Sequence, residues 1–457
     1  MKRNQQPGPD PVWNGLPKIR PHAGGIDVGS RQHYVCAPPQ ADGTPNVKVF
    51  GATTPEQMAL AEWLRQQQVQ SVAMESTGVY WIPLFELLEG QGFEVILTDT
   101  RQLSHVPGRK SDMQDCQWIQ LLHSCGLLSG CFRPEGEIAE LRSLVRAKAA
   151  LVAEQADWLR RMQKSLDQMN VRVHQAVADI NGTTGMAIVR AIVAGQRDPA
   201  QLARLRDPRC QKSERQIEEY LSGHWRPDHL FNLAQALKMY DNSSERIAEY
   251  EREILRRAGE FPDRTGGIGL PPVRNPEKAK AFRRRRQEGL RQTLYGLSGA
   301  DLTTIDGVGV ETAEVVLSEY GPDLSRFASE KQFVSHLRLA PRRDLSGGKP
   351  LRKRKGATAS TRVGQALRRA AVALQHSPSA LGAYYRRIRT TKGAAVAVFA
   401  TARKIATLIF RLLRWGQAYV DEGAATYEQR YQATRIRRLQ TTAQQLGYQL
   451  VPTNAPA

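Results

Sequence analysis

The sequence predicts a multidomain chain with an α/β domain first, long helices in the middle, and a mainly helical, basic part after them. Three observations predict this organisation. The chain has 457 residues, more than the roughly 250–300 at which a single core stops growing. Short β-like runs alternate with helical patterns between residues 24 and 99, which is typical of βαβ units. Residues 138–178 carry apolar side chains on alternating steps of four and three, as a long amphipathic helix does.

The elements of the first domain follow from its short motifs. The runs "GGIDVG" and "HYVCAP" predict strands, and "TPEQMALAEWLRQQQV" predicts a helix opened by a threonine cap. Next come a strand in "SVAMES", a helix in "WIPLFELLEGQG" and a strand in "FEVILTD". A last helix begins within "GRKSDMQDCQWIQLL". We expect this domain at residues 21–130, after a flexible tail at residues 1–20.

The middle of the chain, residues 131–257, is expected to form long helices. A second helical pattern runs from about His229 to Leu255, and Lys148 and Gln155 interrupt the apolar stripe of the first. A hairpin that packs on itself and a coiled coil that joins protomers both explain such helices, and both interpretations stay open. The stripe consists of Leu141, Val145, Val152, Leu159, Met162, Leu166, Met169 and Val173.

Positive charge dominates the rest of the chain. We expect a basic linker at 258–298, a C-terminal domain at 299–420 and a helical tail at 421–457. Between residues 342 and 392 there are 14 lysines and arginines and one acid. The whole chain carries a formal net charge of +20, which favours a polyanionic partner such as nucleic acid.

Other bulk features exclude several classes of protein. The apolar stretch at 393–415 has Arg403 and Lys404 at its centre, where a bilayer penalises charge, so we expect a core helix and no membrane association. The first residues lack the apolar region of a signal peptide. The five cysteines form no C-x-x-C pair, so neither a zinc site nor a disulfide framework is expected, as suits a reducing cytoplasm.

Four carboxylates fall where strands end or a helix begins. Asp27 lies in the first strand, Glu75 ends a later one, and Asp112 and Asp115 open the last helix of the domain. Acids in a first helical turn complement the helix dipole, which alone would explain the last two. If the elements are neighbours, the four acids converge and predict a site for Mg²⁺ or Mn²⁺, because hard cations take oxygen ligands. Two such ions roughly 3.5–4 Å apart can flank a scissile phosphate.

This order of acids resembles the ribonuclease H-like fold of the Holliday-junction resolvase RuvC. Together, "GIDVGSRQHYVCAP", "MESTGVYWIPLFELLEGQGFEVILTD" and "GRKSDMQDCQWIQLL" resemble the N-terminal domain of the DEDD-type insertion-sequence transposases. The resemblance implies a RuvC-like domain whose four acids are catalytic metal ligands. "GIDVGS" also resembles the phosphate loop of actin-like and sugar-kinase ATPases, but the acid pair and the net charge favour the transposases.

The resemblance extends to "FVSHLRLAPRRDLSGGKPLRKRKGATASTRVGQALRRAAVAL", which is similar to the second domain of the same transposases. It implies that Ser346 attacks a phosphodiester to form a phosphoserine link; Ser335 and Ser360 are weaker candidates. A serine hydroxyl needs a base or metal to activate it. The basic residues around it are expected to bind nucleic acid: Arg342, Arg343, Lys349, Arg352, Lys353, Arg354 and Lys355.

The stretch "LTTIDGVGVETAEVVLSEYG" contains Gly307 and Gly309 before a helical pattern. A helix-hairpin-helix element uses such a turn to offer backbone N–H groups to a DNA phosphate. A simple tight turn between two helices explains the glycines as well.

The sequence therefore predicts a DNA transposase or recombinase. The resemblance implies DNA as donor and target and a guide RNA encoded by the element. The apolar stripe and the need to cut several strands favour a homo-oligomer (dimer or tetramer), and the cysteine pattern favours a place in the bacterial cytoplasm or nucleoid. Two alternatives stay open. One is a RuvC-like nuclease or resolvase in which metal-activated water attacks, and the other is a non-catalytic nucleic-acid scaffold.

Overall fold

The computed structural model describes most of the chain: residues 16–76, 78–99, 103, 112–134, 136–273, 275–340, 345–346, 349–350, 361–416, 418 and 421–451. At Asp112, at Arg284 and in the strand pair 345–346 and 349–350 it describes the backbone alone. The chain divides into two compact units, residues 1–133 and residues 134–457.

The first unit contains a mixed five-stranded sheet in the order β3-β2-β1-β4-β5. β2 is antiparallel to both of its neighbours, whereas β1, β4 and β5 run parallel. The predicted strands are confirmed, and β3 is an additional edge strand that the sequence patterns did not indicate. The strands are β1 (Ala23–Val28), β2 (Gln32–Ala37), β3 (Asn46–Gly51), β4 (Ser71–Glu75) and β5 (Glu94–Thr98).

Helices cover both faces of this sheet. α1 (Thr54–Gln66) and α2 (Trp81–Gly90) lie on one face, where their leucines form a core with Ile26 and Met74. α3 (Asp112–Ser124) lies on the other face. The threonine at the start of α1 makes no side-chain capping hydrogen bond, contrary to the expected cap, and a proline in the first turn marks the start instead.

Two 33-residue helices form the first part of the second unit. α4 (Gly136–Gln168) and α9 (Pro227–Gly259) pack against each other along their length, so within this chain the hairpin interpretation is correct. Four short helices connect them and close one end of the pair with a common apolar core. They are α5 (Val173–Ala176), α6 (Thr183–Val193), α7 (Pro199–Ala203) and α8 (Glu214–Leu221).

The rest of the second unit is mainly helical. The expected linker at 258–298 contains two helices, α10 (Pro276–Arg284) and α11 (Glu288–Ser298), whose side chains Phe282, Leu294 and Tyr295 are buried. α11 packs against α9 and against the helix Val310–Tyr320. The other segment boundaries stay predictions. The elements are α10 (Pro276–Arg284), α11 (Glu288–Ser298), α12 (Val310–Tyr320), α13 (Glu330–His336), β6 (Leu345–Ser346), β7 (Lys349–Pro350), α14 (Arg362–Ala373), α15 (Ala380–Lys392), α16 (Ala394–Trp415) and α17 (Gly423–Gln445).

The apolar stretch near residue 400 forms α16, whose buried side packs on α13, α14 and α15. Ile405, Ile409 and Phe410 are among its fully buried residues. Across the part of the chain that the structure describes, no helix has both the length and the apolar character needed to cross a membrane. The prediction of a core helix is confirmed.

Candidate functional site

Asp27 and Glu75 lie side by side at the carboxyl-terminal ends of β1 and β4. This end of the sheet is called the acidic edge. The parallel register of β1 and β4 pairs Gly25 with Ala73 and Ile26 with Met74. One position further along are Asp27 and Glu75, at the carboxyl ends of the two strands. Both residues are half-buried. The carboxyl ends of parallel strands are the usual place for ligands in α/β sheets.

Both acids belong to the face of the sheet that α3 covers. A Cβ atom at Gly25 would lie 2.2 Å from the Gln120 nitrogen and 2.5 Å from the Cys116 oxygen, so this face of β1 touches the helix backbone. Ala73 shares an apolar cluster with Trp118 and Ile119 of α3. Because alternate strand residues share a face, Asp27 and Glu75 lie on the α3 side as well.

The direction of α3 brings its first residues to the same edge. Near its end, Gln120 Nε2 donates to the Ala23 oxygen at 3.1 Å, and His123 Nε2 lies 2.9 Å from Ser71 Oγ. Both partners stand at the beginnings of β1 and β4. The helix therefore runs antiparallel to these strands, and its N-terminus, with Asp112 and Asp115, lies at their carboxyl ends.

The environment of the Cys116 thiol reflects how close Asp27 lies to α3. Hydrogen bonding to Cys36 and burial raise the pKa of this thiol, and the negative charge of Asp27 raises it further. Cys116 directly follows Asp115 on the helix. The carboxylate of Asp27 thus lies near the first turns of α3, where the sequence had placed two further acids.

The structure describes the side chains of three of the four predicted acids. Asp27, Glu75 and the half-buried Asp115 are described with their side chains, whereas for Asp112 only its position as the first residue of α3 is described. Among the side chains that the structure describes, no group of three possible ligands is close enough to hold a metal ion. The backbone thus brings the acid-bearing positions to one edge, and the ligand set itself stays a prediction.

A further polar group on this edge was not predicted. Thr98 ends β5 and pairs with Glu75 in the parallel register, on the face that Ile96 shares with α3. Its side chain is fully buried, and its hydroxyl has no hydrogen-bond partner in the described part of the molecule. Such a group is costly to bury unpaired, and its place beside Glu75 makes it a candidate member of the site. Carboxylates together with this hydroxyl fit a hard cation and its bound water. In the sequence, the one signal for Thr98 is that it precedes Asp99 at the end of a predicted strand.

Gly29 has a local structural role. Its N–H donates to the Gln32 oxygen at 3.1 Å, closing the turn between β1 and β2. A phosphate loop needs such N–H groups free for its ligand. The glycine of "GIDVGS" is therefore explained by the hairpin, which weakens the ATPase interpretation.

Ser346 lies in a short hairpin of the second unit. Leu345 pairs with Pro350, and Ser346 pairs with Lys349 across β6 and β7, so two residues connect the strands. The side chains of Ser346 and Lys349 and the remaining predicted basic residues lie outside the described part: Arg342, Arg343, Arg352, Lys353, Arg354 and Lys355.

The two glycines of the predicted DNA-binding turn differ from each other. Gly307 has φ +83°, and a Cβ atom there would lie 2.8 Å from the Ala370 oxygen of α14, so close packing explains this glycine. Gly309 precedes α12, and a Cβ atom there would meet nothing within 4 Å. Of the two, only Gly309 has a position at which a phosphate can approach the start of a helix.

Two family models match the chain. One, described as a transposase of the DEDD, IS110 type, matches residues 24–171, and the other, described as the transposase IS116/IS110/IS902 family, matches residues 299–386. Together they span just over half of the sequence. The α/β unit with its acidic edge and the helical unit thus belong to an enzyme that acts on DNA in transposition or recombination. More particularly, the chain is a member of the IS110/IS116 transposase family. No curated protein matches it.

Proposed function

We propose that this transposase cuts and rejoins DNA strands at a site formed by Asp27, Glu75, Asp112 and Asp115 in a ribonuclease H-like, RuvC-like domain. The strand order β3-β2-β1-β4-β5, with β2 antiparallel, supports this assignment of the fold. The observation that carries the proposal is the meeting of three acid-bearing elements, β1, β4 and the start of α3, at one edge of the sheet.

The four acids would hold Mg²⁺ or Mn²⁺. When bound, the metal supplies a positive charge that polarises the scissile phosphate and activates the attacking oxygen. Asp27 and Glu75 come from rigid strand ends and fix one side of the site. Asp112 and Asp115, three positions apart, lie on one side of α3. The buried hydroxyl of Thr98 is suited to orient Glu75 or a bound water.

The variant Asp112→Ala tests the metal role. We expect loss of DNA strand cleavage with nearly unchanged nucleic-acid binding, because a ligand is removed while the basic surfaces stay. Cleavage of a labelled DNA duplex in Mn²⁺ measures the first, and fluorescence anisotropy measures the second. Asp42→Ala is the matched control, since Asp42 lies in the turn between β2 and β3 and bonds only locally to Thr44. Retained cleavage by the Asp112 variant contradicts the proposal.

We further infer that Ser346 is the nucleophile. Its Oγ would form a bond to phosphorus while the bond from phosphorus to one ester oxygen breaks; the hydroxyl proton leaves and the departing oxygen is protonated. One phosphate ester replaces another, so the bond energy of the DNA phosphodiester is retained in the phosphoserine ester and can be used to rejoin a strand. The pairing of Ser346 with Lys349 supports this role, because it places the serine at the end of a short strand, next to two glycines in the sequence that let a nucleic-acid backbone approach closely.

The variant Ser346→Ala separates this mechanism from attack by water. We expect no covalent protein–DNA adduct on a denaturing gel, whereas the unaltered chain gives one. Ser335→Ala, within α13, is the control and should retain the adduct. If the unaltered chain gives metal-dependent cleavage without any adduct, water is the nucleophile. Products that need no divalent metal would instead favour a non-catalytic role for the acids.

The partners follow from the family and the charge. We propose that a guide RNA directs the enzyme to its DNA sites, that the enzyme acts as an oligomer, and that it works in the cytoplasm or nucleoid. The net charge of +20 supports nucleic-acid binding in general. Sequencing the nucleic acid that copurifies with the chain tests the guide: one discrete small RNA is expected, and a random mixture of host RNA contradicts it.

A further inference from the structure

Three arginines of the second unit surround one carboxylate. Arg146 Nε and Nη2 donate to Glu319 Oε1 and Oε2 at 2.8 Å each. Arg142 Nε lies 3.0 Å from Oε2, and Arg362 Nε lies 3.9 Å from Oε1. The cluster joins α4, which carries Arg142 and Arg146, to Glu319 on α12 and to the first residue of α14.

The charge of this arginine cluster is not balanced. None of the three guanidiniums has another carboxylate within ion-pair distance among the described residues. Within that part of the chain, Glu319 therefore offsets one of their three positive charges. Arg142 and Arg146 are one helical turn apart, where like charges repel. Burial lowers the pKa of Arg142; the Glu319 charge opposes this shift and the Arg146 charge adds to it. A second anion at the cluster would relieve the repulsion.

The guanidiniums keep hydrogen-bonding capacity for such an anion. The Glu319 side chain is only 10% exposed, whereas those of Arg146 and Arg362 are 39% and 53% exposed. The carboxylate is thus covered, and the arginines extend from it toward solvent. Arg142 is the most covered of the three arginines, with 21% of its side chain exposed, so Arg146 and Arg362 present most of the accessible N–H groups. Planar guanidiniums with free N–H groups match the geometry of a phosphate.

The cluster lies at the base of the segment that contains Ser346. Thr361 Oγ1 donates to the Leu337 oxygen at 3.3 Å, so the chain on both sides of this segment meets at one place. Arg362 follows Thr361 directly, at the start of α14, where the helix dipole adds positive potential. An anion bound by the arginines would therefore lie next to the point from which the serine-bearing segment departs.

We propose that Arg142, Arg146 and Arg362 bind a phosphodiester group of a nucleic-acid strand, and that Glu319 orients them while competing for their N–H groups. The proposal rests on the proposed function only in taking nucleic acid as the ligand. It requires neither the metal site nor the serine chemistry.

Replacing Glu319 separates a structural role of the arginines from a phosphate-binding role, because the two roles predict different changes in nucleic-acid affinity. If the arginines serve only to pair with this carboxylate, Glu319→Gln destabilises the fold and leaves nucleic-acid affinity unchanged or weaker. If they bind phosphate, the same change frees their N–H groups and removes a repelling charge, so affinity increases. The direction of the change in affinity therefore separates the two roles.

The experiment measures binding of a fluorescent 30-bp DNA duplex and of an RNA hairpin of the same charge to the full-length chain over a range of salt concentrations. We expect Glu319→Gln to bind several-fold more tightly. Glu253→Gln is the matched control, because Glu253 also holds two arginines, Arg256 and Arg257, on the exposed surface of α9. It changes the net charge equally and should have little effect on affinity.

A second variant keeps the proposal testable if Glu319→Gln fails to fold. The Arg362 side chain is half-exposed, and its Nε is as far as 3.9 Å from Glu319 Oε1. Because this contact is weak, Arg362→Gln should fold normally. We expect weaker binding and a salt dependence of log affinity shallower by about one. An effect on the duplex assigns the phosphodiester to DNA, and an effect on the hairpin alone assigns it to RNA. Unchanged binding of both probes by both variants, or an equal gain for Glu253→Gln, overturns the proposal.

Discussion

At the scale of single residues, Gly25 controls how closely α3 approaches the sheet. The missing side chain lets the helix backbone lie directly on β1, with the Cys116 oxygen and the Gln120 nitrogen in the space that a methyl group would occupy. Two residues later on the same face is Asp27. The position of the acidic edge therefore depends on a residue that carries no chemistry of its own.

We predict that Gly25→Ala lowers the free energy of unfolding of the first unit by about 3 kcal/mol, the upper range for overpacking, and reduces cleavage further than this loss alone explains. The methyl group pushes α3 and its acids away from β1. Urea denaturation and the cleavage assay measure the two effects. Gly90→Ala, where a Cβ atom meets nothing within 4 Å, is the control; equal effects at both positions contradict the prediction.

His123 makes the stability of the first unit depend on pH. Burial, aided by the positive charge of Arg20 and opposed by Glu94, lowers the pKa of His123 to about 4, whereas an unfolded histidine has a pKa near 6.5. Between these values the unfolded chain binds a proton that the folded chain does not. The free energy of unfolding therefore falls as pH decreases from 6.5 to 4, by about 3 kcal/mol in total.

The variant His123→Gln should lose most of this dependence while retaining a donor for Ser71. Urea denaturation at pH 7 and at pH 5 measures it: the unaltered chain becomes less stable at pH 5, and the variant changes less. The same loss of stability in both proteins contradicts the role of His123.

The residue types of the candidate site were predictable, but their full surroundings were not. The order Asp27, Glu75, Asp112, Asp115 and their places at element ends follow from the sequence. Thr98 did not stand out, because an unpartnered hydroxyl is recognisable only when its neighbours are known. The cluster around Glu319 was also missed, since its arginines are more than 170 and about 40 residues away along the chain.

At the scale of elements, a buried ion pair joins α4 to α12. Lys148, a polar interruption in the apolar stripe, donates from Nζ to both oxygens of Glu314 at 2.6 and 2.7 Å. Their side chains are 11% and 4% exposed. Burial raises the pKa of Glu314, and the Lys148 charge opposes this shift. The interruption is thus one of the contacts between the long helix and α12, together with the pairing of Arg142 and Arg146 with Glu319.

We predict that Lys148→Met destabilises the second unit by about 3–5 kcal/mol, because it leaves a buried carboxylate without its partner. The double variant Lys148→Met, Glu314→Leu should recover most of the loss. Thermal denaturation followed by circular dichroism measures both. Arg246→Met, which breaks the exposed pair with Glu249 on α9, should change stability little. A Lys148→Met protein as stable as the unaltered one would show that the pair is dispensable.

Long periodic elements were predicted more reliably than short ones. The strands with apolar runs and the two long helices are where the patterns indicated them. β3 was missed because "NVKVFG" has only a short alternation at an edge, where Val49 is exposed. The first long helix ends at Gln168, before the predicted limit, because Asn170 adopts a left-handed backbone with φ 58°; the stripe continues through Met169 and Val173 into the shared core.

At the scale of the whole molecule, the chain combines a compact α/β unit with a larger helical unit. The core of the first consists of residues from its own strands and helices, and the helical unit likewise has its own cluster at the end of the α4–α9 pair. Length and composition predicted more than one domain, because a single core of this size is rare. Sequence could not decide between a hairpin and an interprotomer coiled coil, because both use the same apolar repeat.

The edge position of β3 has a consequence for how the molecule behaves in solution. Among the strands that the structure describes, β3 has a neighbour on one side only, and unpaired edge strands invite edge-to-edge aggregation. Lys48 stands in the middle of β3, with its ammonium group 5.0 Å from the ring centre of Phe50. A lysine there disfavours such pairing, so Lys48 lowers the tendency of this edge strand to pair with the same strand of a second copy.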